Sequence, residues 1–126
     1  MHRHAVIGLC ATAFLSVASS AAMAQASPPS YEADPSVYKV IFEDQNFRVI
    51  ELTRKKGVHD KLHSHSVPSV AYNLTDCTTK GYGADGKAGP ENTRKSGEAF
   101  AVPVTPGHSV ETTGTGDCKQ VLVERK

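Results

Sequence analysis

Short runs of β-branched and aromatic residues, separated by turn-forming residues, are the feature that most limits what this chain can fold into. Such runs favour strands, and the Gly, Pro, Asn and Asp clusters between them favour turns. The pattern predicts strands over 37–42, 47–53, 67–74, 98–102, 109–112 and 119–124. The last of these alternates cleanly, with Val121 and Val123 on one face. No convincing helix or internal repeat is visible, so the sequence predicts an all-β chain forming a small antiparallel sandwich or barrel.

Two segments lie outside this series of strands. Residues 80–97 contain five glycines and a proline, and within them residues 84–87 (Ala-Asp-Gly-Lys) are predicted to form a type I′ hairpin turn. Residues 27–36 contain three prolines and few large apolar side chains. We therefore expect an extended leader at 27–36, followed by one β domain over 37–126.

The first 26 residues have the three-part organisation of a secretory signal peptide. A short basic start precedes an apolar run and then small residues, with a cleavage site after Ala24 or Ala26. The apolar run of roughly 14 residues is shorter than the roughly 20 that a membrane-spanning helix needs. Cys10 lies inside that run, where lipid attachment is not expected. The sequence therefore predicts a bacterial protein that is periplasmic or secreted and has no membrane span.

The charge balance narrows the choice of partners. The full chain has 14 Lys and Arg against 13 Asp and Glu, and loss of the predicted signal peptide removes Arg3 and no acid. A neutral domain argues against nucleic acid as a partner, because such binders normally carry a basic surplus or stripe. The local basic run at 54–56 is interpreted as a solvated turn. A small-molecule ligand is the expected partner.

Two cysteines, Cys77 and Cys118, remain after the predicted cleavage. In an exported protein such a pair predicts a disulfide, because an oxidising compartment would consume two free thiols. Closing a loop of this length contributes up to roughly 4 kcal/mol in the chain-entropy treatment. The alternative is that one of the thiols serves as a metal ligand or nucleophile.

Four histidines remain in the same part of the chain: His59, His63, His65 and His108. Alternate side chains of an extended segment share a face, so His63 and His65 are expected to point the same way. Two such imidazoles can converge on a divalent metal, with His108 as the third candidate ligand and His59 as a further one. The alternative is that these histidines are hydrogen-bonded residues of a packed, metal-free barrel.

Two longer patterns resemble the motifs of the cupin superfamily. Residues 57–65 resemble the first half of the first motif, G-x5-H-x-H, and residues 97–108 resemble the second, G-x5-P-x-G-x2-H. The resemblance implies a cupin-like jelly-roll β-barrel. It also implies that His63, His65 and His108 bind a metal inside the barrel. A homodimer is expected from the same resemblance, since cupins commonly pair sheet to sheet.

The chain departs from these motifs in ways that affect the site. Ser69 and Val70 stand where the first motif has a ligating Glu, while Thr105 and Thr112 replace a Gly and an Asn of the second. The predicted donor set is therefore three imidazoles without a carboxylate. Such a set leaves open positions and is reasonable for Zn, Fe, Mn, Ni or Cu.

Catalysis itself stays open at this point. His59 and Tyr72 are the candidate proton-transfer residues. Strict alternation turns Tyr72 outward, but a bulge at Pro68 would bring it in. The sequence thus supports three hypotheses: a metal-dependent enzyme acting on a small molecule, a non-catalytic ligand- or metal-binding module, and a metal-free packed barrel.

Overall fold

A computed structural model of the protein describes residues 25–126, so all but the last two residues of the predicted signal peptide lie outside it. The described residues form one short helix and nine strands. These elements are α1 (Ser30–Ala33), β1 (Tyr38–Glu43), β2 (Phe47–Arg54), β3 (His63–His65), β4 (Ser69–Asn73), β5 (Cys77–Gly83), β6 (Ala88–Arg94), β7 (Ala99–Val102), β8 (Thr105–Thr112) and β9 (Cys118–Arg125). The prediction of a β-rich fold is confirmed.

The strands form two antiparallel sheets. One has five strands in the order β1-β2-β9-β4-β7, and the other has four in the order β3-β8-β5-β6. Neighbours in a sheet are often distant in sequence, because the chain crosses repeatedly from one sheet to the other. This arrangement is a jelly-roll sandwich, in which side chains from both inner faces meet in the middle.

The apolar core is built mainly by the five-stranded sheet. Ile50 and Leu52 of β2, Ala71 of β4 and Leu122 of β9 are each at most 3% exposed. In β9 the two faces alternate as predicted, and the face with Leu122 is the buried one. Val123, on the other face, is 39% exposed. Burial of these side chains is the main term that stabilises the sandwich.

The predicted disulfide between Cys77 and Cys118 is present, with an S–S distance of 2.07 Å and Cα atoms 4.8 Å apart. Cys77 begins β5 and Cys118 begins β9, so the bond joins a strand of one sheet to a strand of the other. Both cysteines are buried.

The region 80–97 holds two strands where the sequence predicts only a hairpin turn. β5 and β6 pair with each other on either side of that turn. The sequence gives no signal for strand β6, because this strand lies at the edge of the sheet and all its residues except Arg94 are exposed. No alternation of apolar residues is then required.

The type I′ assignment for the turn is wrong. That turn needs a positive φ at both central residues, and among the described residues only glycines have one. The Gly86 N–H donates to the Gly83 carbonyl at 2.9 Å, and Gly86 itself has a φ of 78°. The connection is therefore a three-residue loop, a type I turn followed by a left-handed glycine.

The prediction of an extended leader at 27–36 is also wrong. Ser30–Ala33 form a single helical turn, in which Ser30 is completely buried. The Pro28 carbonyl accepts a hydrogen bond from the Ser64 N–H at 2.9 Å, so the segment covers the edge of β3. Within the described part of the chain, no helix is long and apolar enough to cross a membrane.

Most other strand boundaries differ from the prediction by one or two residues, but β8 begins four residues early. Pro106 and Gly107 both belong to β8. The β3–β8 register shifts between His63 and His65, opposite these two residues. A proline, which has no N–H to donate, is tolerated at such an irregularity.

Candidate metal centre

Three histidines converge on the inner face of the four-stranded sheet. His63 and His65 lie on β3, and His63 is paired directly with His108 on β8. Directly paired residues have Cβ atoms roughly 4.5–5.5 Å apart, so the register itself brings these two rings together. Their centroids are 4.6 Å apart, and the His65 ring lies 5.1 Å from His63 and 5.0 Å from His108. The structure therefore assembles the predicted ligand set.

A hydrogen bond to the backbone indicates the tautomer of the His63 ring. Nδ1 lies 2.8 Å from the Lys61 carbonyl oxygen. A carbonyl only accepts hydrogen bonds, so we assign the hydrogen to Nδ1, which donates it. Nε2 is then left with its lone pair. A backbone carbonyl that fixes the tautomer in this way is a common partner of metal-binding histidines.

The other two rings are held neutral by their surroundings. Burial lowers the pKa of His65 to about 3, with smaller contributions from His108 and His63. Burial also lowers the pKa of His108 to about 4, with His63 contributing less. Nδ1 of His65 and Nε2 of His108 are buried without a hydrogen-bond partner. Each unsatisfied buried nitrogen costs roughly 1–3 kcal/mol, a cost that a bound ion would remove.

The donor set fits a divalent transition metal. One nitrogen from each of the three rings lies within 4.8 Å of the others. Nitrogens at roughly 2.0–2.1 Å from a shared ion are at most about 4 Å apart, so ring shifts of under about 1 Å are sufficient. Neutral imidazoles suit zinc, copper, iron and nickel. No carboxylate joins the cluster in the described part of the chain.

Two glycines of the motifs have a conformational role in turns between strands. Gly57, in the turn after β2, has a φ of 75°, and Gly97, in the turn before β7, has a φ of 86°. This left-handed region is readily adopted only by glycine, because a Cβ would clash with the backbone. The motif glycines therefore shape the turn that follows β2 and the turn that precedes β7.

A buried polar network behind His63 was missed in the sequence. Asp60 Oδ2 accepts hydrogen bonds from the Tyr38 hydroxyl at 2.6 Å and from Arg54 Nε at 2.9 Å. Asp60 Oδ1 accepts one from the Val110 N–H at 2.7 Å. The Tyr38 hydroxyl is also 3.4 Å from Nε2 of His63. Burial raises the pKa of Tyr38, so its hydroxyl stays protonated and gives its hydrogen to Asp60.

The interpretation of residues 54–56 as a solvated turn is wrong for Arg54. Its side chain is only 3% exposed and lies 2.9 Å from the Asp60 carboxylate, although its two lysine neighbours are exposed. A signal for this was present, because Arg54 has the same parity in β2 as the buried Ile50 and Leu52. The positive charges in the run masked that alternation.

The two candidate proton-transfer residues lie away from the cluster. Tyr72 follows the strict alternation of β4 and is 47% exposed on the outer face, so Pro68 does not reverse the strand. His59 is exposed, and its Nε2 lies 2.8 Å from Ser109 Oγ. It stacks on Tyr82 at 4.5 Å, on the other face of the four-stranded sheet from the cluster.

A cavity of about 220 Å³ lies beside the cluster, between the two sheets. His65 and His108 form part of its wall. Apolar side chains form much of the rest: Leu52, Ala71, Phe100, Val102, Val110 and Leu122. Water occupies about 30 Å³ per molecule in the liquid, so the cavity holds on the order of seven waters or one small organic molecule. The barrel interior is therefore not completely packed.

Comparisons with protein-family models and with curated protein sequences find no match. A cupin domain from Bordetella pertussis is similar in structure, with a TM-score of 0.64 and 18% identity over 79% of this chain and 96% of that chain. An RmlC-like cupin family protein with a double-stranded β-helix fold, from Methanocaldococcus jannaschii, has a TM-score of 0.57 and 10% identity, covering 71% of this chain and 78% of that one.

A third solved structure is that of a cupin 2 conserved barrel domain protein from Leptotrichia buccalis. Its TM-score is 0.54 and its identity 26%, over 71% of this chain. The match covers 40% of that protein, which is therefore much longer than the shared barrel. The sandwich described above superposes on all three barrels. The chain therefore has the fold of the cupin superfamily.

Proposed function

We propose that this protein is exported and uses His63, His65 and His108 to hold one divalent transition metal, beside a cavity that receives a small molecule. The main support is that His63, His65 and His108 each offer a ring nitrogen within 4.8 Å of the others, and that Nδ1 of His65 and Nε2 of His108 are buried without a hydrogen-bond partner. Because burial lowers the pKa of His65 and of His108, these two rings can bind a metal at pH 7 without first losing a proton. Three protein ligands leave coordination positions for a small molecule.

When bound, the ion would supply Lewis acidity toward that molecule. The residues of the chain have separate tasks around it. The Lys61 carbonyl fixes the orientation of His63, and the Asp60 network holds β1, β2 and β8 together behind the ring. The apolar walls of the cavity limit access of water, which strengthens polar interactions inside it.

A non-catalytic binding module is the second candidate function. The observation in its favour is that no Asp or Glu of the described residues lines the cavity, so the wall supplies no carboxylate as a general acid or base. Retention of a small molecule without conversion favours this module, whereas turnover favours an enzyme. The third hypothesis, a fully packed barrel, is not favoured, because the interior contains a cavity of about 220 Å³.

Export is tested by expressing the full chain in a bacterium and measuring the intact mass of the periplasmic product. We expect a chain cleaved after Ala24 or Ala26. The buried disulfide supports this, because such bonds persist in oxidising compartments. Recovery of only the uncleaved chain from the cytoplasm would contradict export.

Metal binding is tested by elemental analysis of that product after incubation with each of Zn²⁺, Fe²⁺, Mn²⁺, Ni²⁺ and Cu²⁺ and removal of excess ion. We expect about one ion per chain for the preferred metal. His65→Ala and His108→Ala should reduce the content to background. His59→Ala is the matched control and should retain the metal, because His59 is exposed and outside the cluster.

A circular dichroism spectrum of each variant checks that loss of metal is not loss of fold. Metal content near zero for every ion, or content unaffected by His63→Ala, would overturn the proposal. A histidine variant that keeps its β-sheet spectrum and loses the metal supports it.

We also propose that the protein is a homodimer formed through the outer face of the five-stranded sheet. An apolar row crosses all five strands there: Phe42, Val49, Val123, Val70 and Ala101 are neighbours in register. Val70 is 50% and Phe42 53% exposed. An apolar surface of this kind favours association.

Light scattering should give twice the chain mass for the natural protein, and the mass of the monomer for Val70→Lys. A monomeric natural protein would contradict the dimer.

A further inference from the structure

The interior cavity carries a positive charge that nothing in the described chain neutralises. Its wall includes two guanidinium groups, Arg54 and Arg94, and no acidic residue. The charge of Arg54 is compensated by Asp60 at 2.9 Å. Arg94 forms no ion pair with any residue that the structure describes. The cavity wall therefore contains one uncompensated cation in addition to two histidines of the cluster.

The position of Arg94 is fixed by an aromatic contact. Arg94 is the last residue of β6, at the edge of the four-stranded sheet, and its guanidinium lies 4.0 Å from the centroid of the Phe100 ring. Phe100 belongs to β7, the edge strand of the opposite sheet. Stacking on an aromatic face holds a guanidinium while leaving its N–H groups at the rim available for a ligand. The contact spans the two sheets.

The rest of the wall indicates the body of the ligand. Besides Phe100, five aliphatic side chains line it, together with Tyr38, the disulfide-bonded Cys77 and the neutral polar groups of Thr79, Asn92 and Gln120. An apolar wall binds hydrocarbon, and one cation holds one anionic group. A planar guanidinium matches a carboxylate, with which it forms two parallel hydrogen bonds.

We propose that the cavity binds a small monocarboxylic acid with an apolar body, whose carboxylate is held by Arg94 and whose other end lies toward His65 and His108. This deepens the proposed function and rests on it for the metal at the far end. The binding of the carboxylate by Arg94 depends only on the cavity and its charge. The two parts can therefore fail separately.

The test uses the purified product of the full chain, with its metal and after treatment with a chelator. Straight-chain acids from acetate to hexanoate and the corresponding neutral amides are titrated calorimetrically. We expect at least one acid to bind roughly tenfold or more tightly than its amide, because a charge-assisted pair is lost in the amide. Arg94→Met should remove that preference, and Arg94→Lys should restore only part of it.

Arg125→Met is the matched control, because Arg125 is exposed and does not line the cavity. It should leave the preference for the acid intact. The proposal is overturned if no acid binds better than its amide, or if the preference survives Arg94→Met. If the protein takes up none of the metals tested but still shows a preference that depends on Arg94, the carboxylate site is supported and the proposed metal centre is contradicted. Unchanged metal content in Arg94→Met shows that the variant retains the rest of the site.

Discussion

The two sheets of the barrel contribute different groups to its interior. Of the buried apolar core, only Cys77 comes from a strand of the four-stranded sheet, whereas β1, β2, β4 and β9 supply most of the rest. The four-stranded sheet instead supplies the histidine cluster and the unpaired cation of the cavity, which are His63, His65, His108 and Arg94. One wall thus stabilises the fold by apolar burial, and the other carries the candidate site. Substitutions in one wall should therefore change the stability of the fold, and substitutions in the other should change metal binding.

Strand pairing is also less regular in the four-stranded sheet than in the five-stranded sheet. The five-stranded sheet has one register shift, in its edge strand β1. The shorter sheet has two, one between His63 and His65 and one between Lys80 and Tyr82. Irregular pairing is frequent next to functional sites, where it changes the aim of a side chain. The site wall is therefore also the less regular wall.

The largest change in stability is expected from a substitution that removes a contact between the two walls. Asp60 accepts hydrogen bonds from Tyr38 and Arg54 on the five-stranded sheet and from Val110 on the other. Asp60→Ala leaves Arg54 buried without its partner, so we expect the free energy of unfolding to fall by about 3–5 kcal/mol. Urea denaturation followed by circular dichroism measures it. The exposed Glu91→Ala is the control, and a loss below about 1 kcal/mol for Asp60→Ala would contradict this role.

A core substitution should affect stability and spare the metal. Ile50 is completely buried in the five-stranded sheet, so Ile50→Ala should cost about 2–5 kcal/mol in the free energy of unfolding. Metal content per folded chain should not change. His65→Ala should give the opposite result, losing the metal with a smaller effect on the metal-free protein. Equal loss of metal in both variants would show that the walls are not separable.

Removing the disulfide tests the covalent link between the two walls. The double variant Cys77→Ala with Cys118→Ala should lower the free energy of unfolding by about 2–4 kcal/mol, because the loop between them is no longer closed in the unfolded chain. Urea denaturation of both proteins under non-reducing conditions gives the difference. Equal midpoints would contradict the expected contribution.

A gradual dependence of stability on pH is expected from the histidine wall. Burial lowers the pKa of His65 to about 3 and that of His108 to about 4, so below pH 6.5 the unfolded chain binds more protons than the folded one. Their contribution is therefore complete above about pH 6.5 and declines as the pH falls toward 4. Urea midpoints of the chelator-treated protein at pH 7 and pH 5 measure it. His59→Asn should keep this difference, and midpoints that rise at pH 5 would contradict it.

Most of the site wall could be predicted because its signals are local. The alternation of His63 and His65 on one strand needs only the geometry of an extended chain. His108 needed more, since its pairing with His63 is a contact between strands distant in sequence. Counting the remaining histidines made it a candidate, and the resemblance to the cupin motifs implied its role. Asp60 gave no such signal, because a lone acid in a turn looks the same whether it is solvated or buried.

The sequence by itself determined the β-rich class, the Cys77–Cys118 pair and the three histidines, because each follows from local patterns or from counting. Only the tertiary structure decided that β6 is a strand, that residues 30–33 form a helical turn against β3, and that Arg54 is buried. It also decided that Arg94 meets Phe100 across an open cavity. The physical reason is that burial and ion pairing are properties of the neighbours a residue acquires, and those neighbours come from the other sheet.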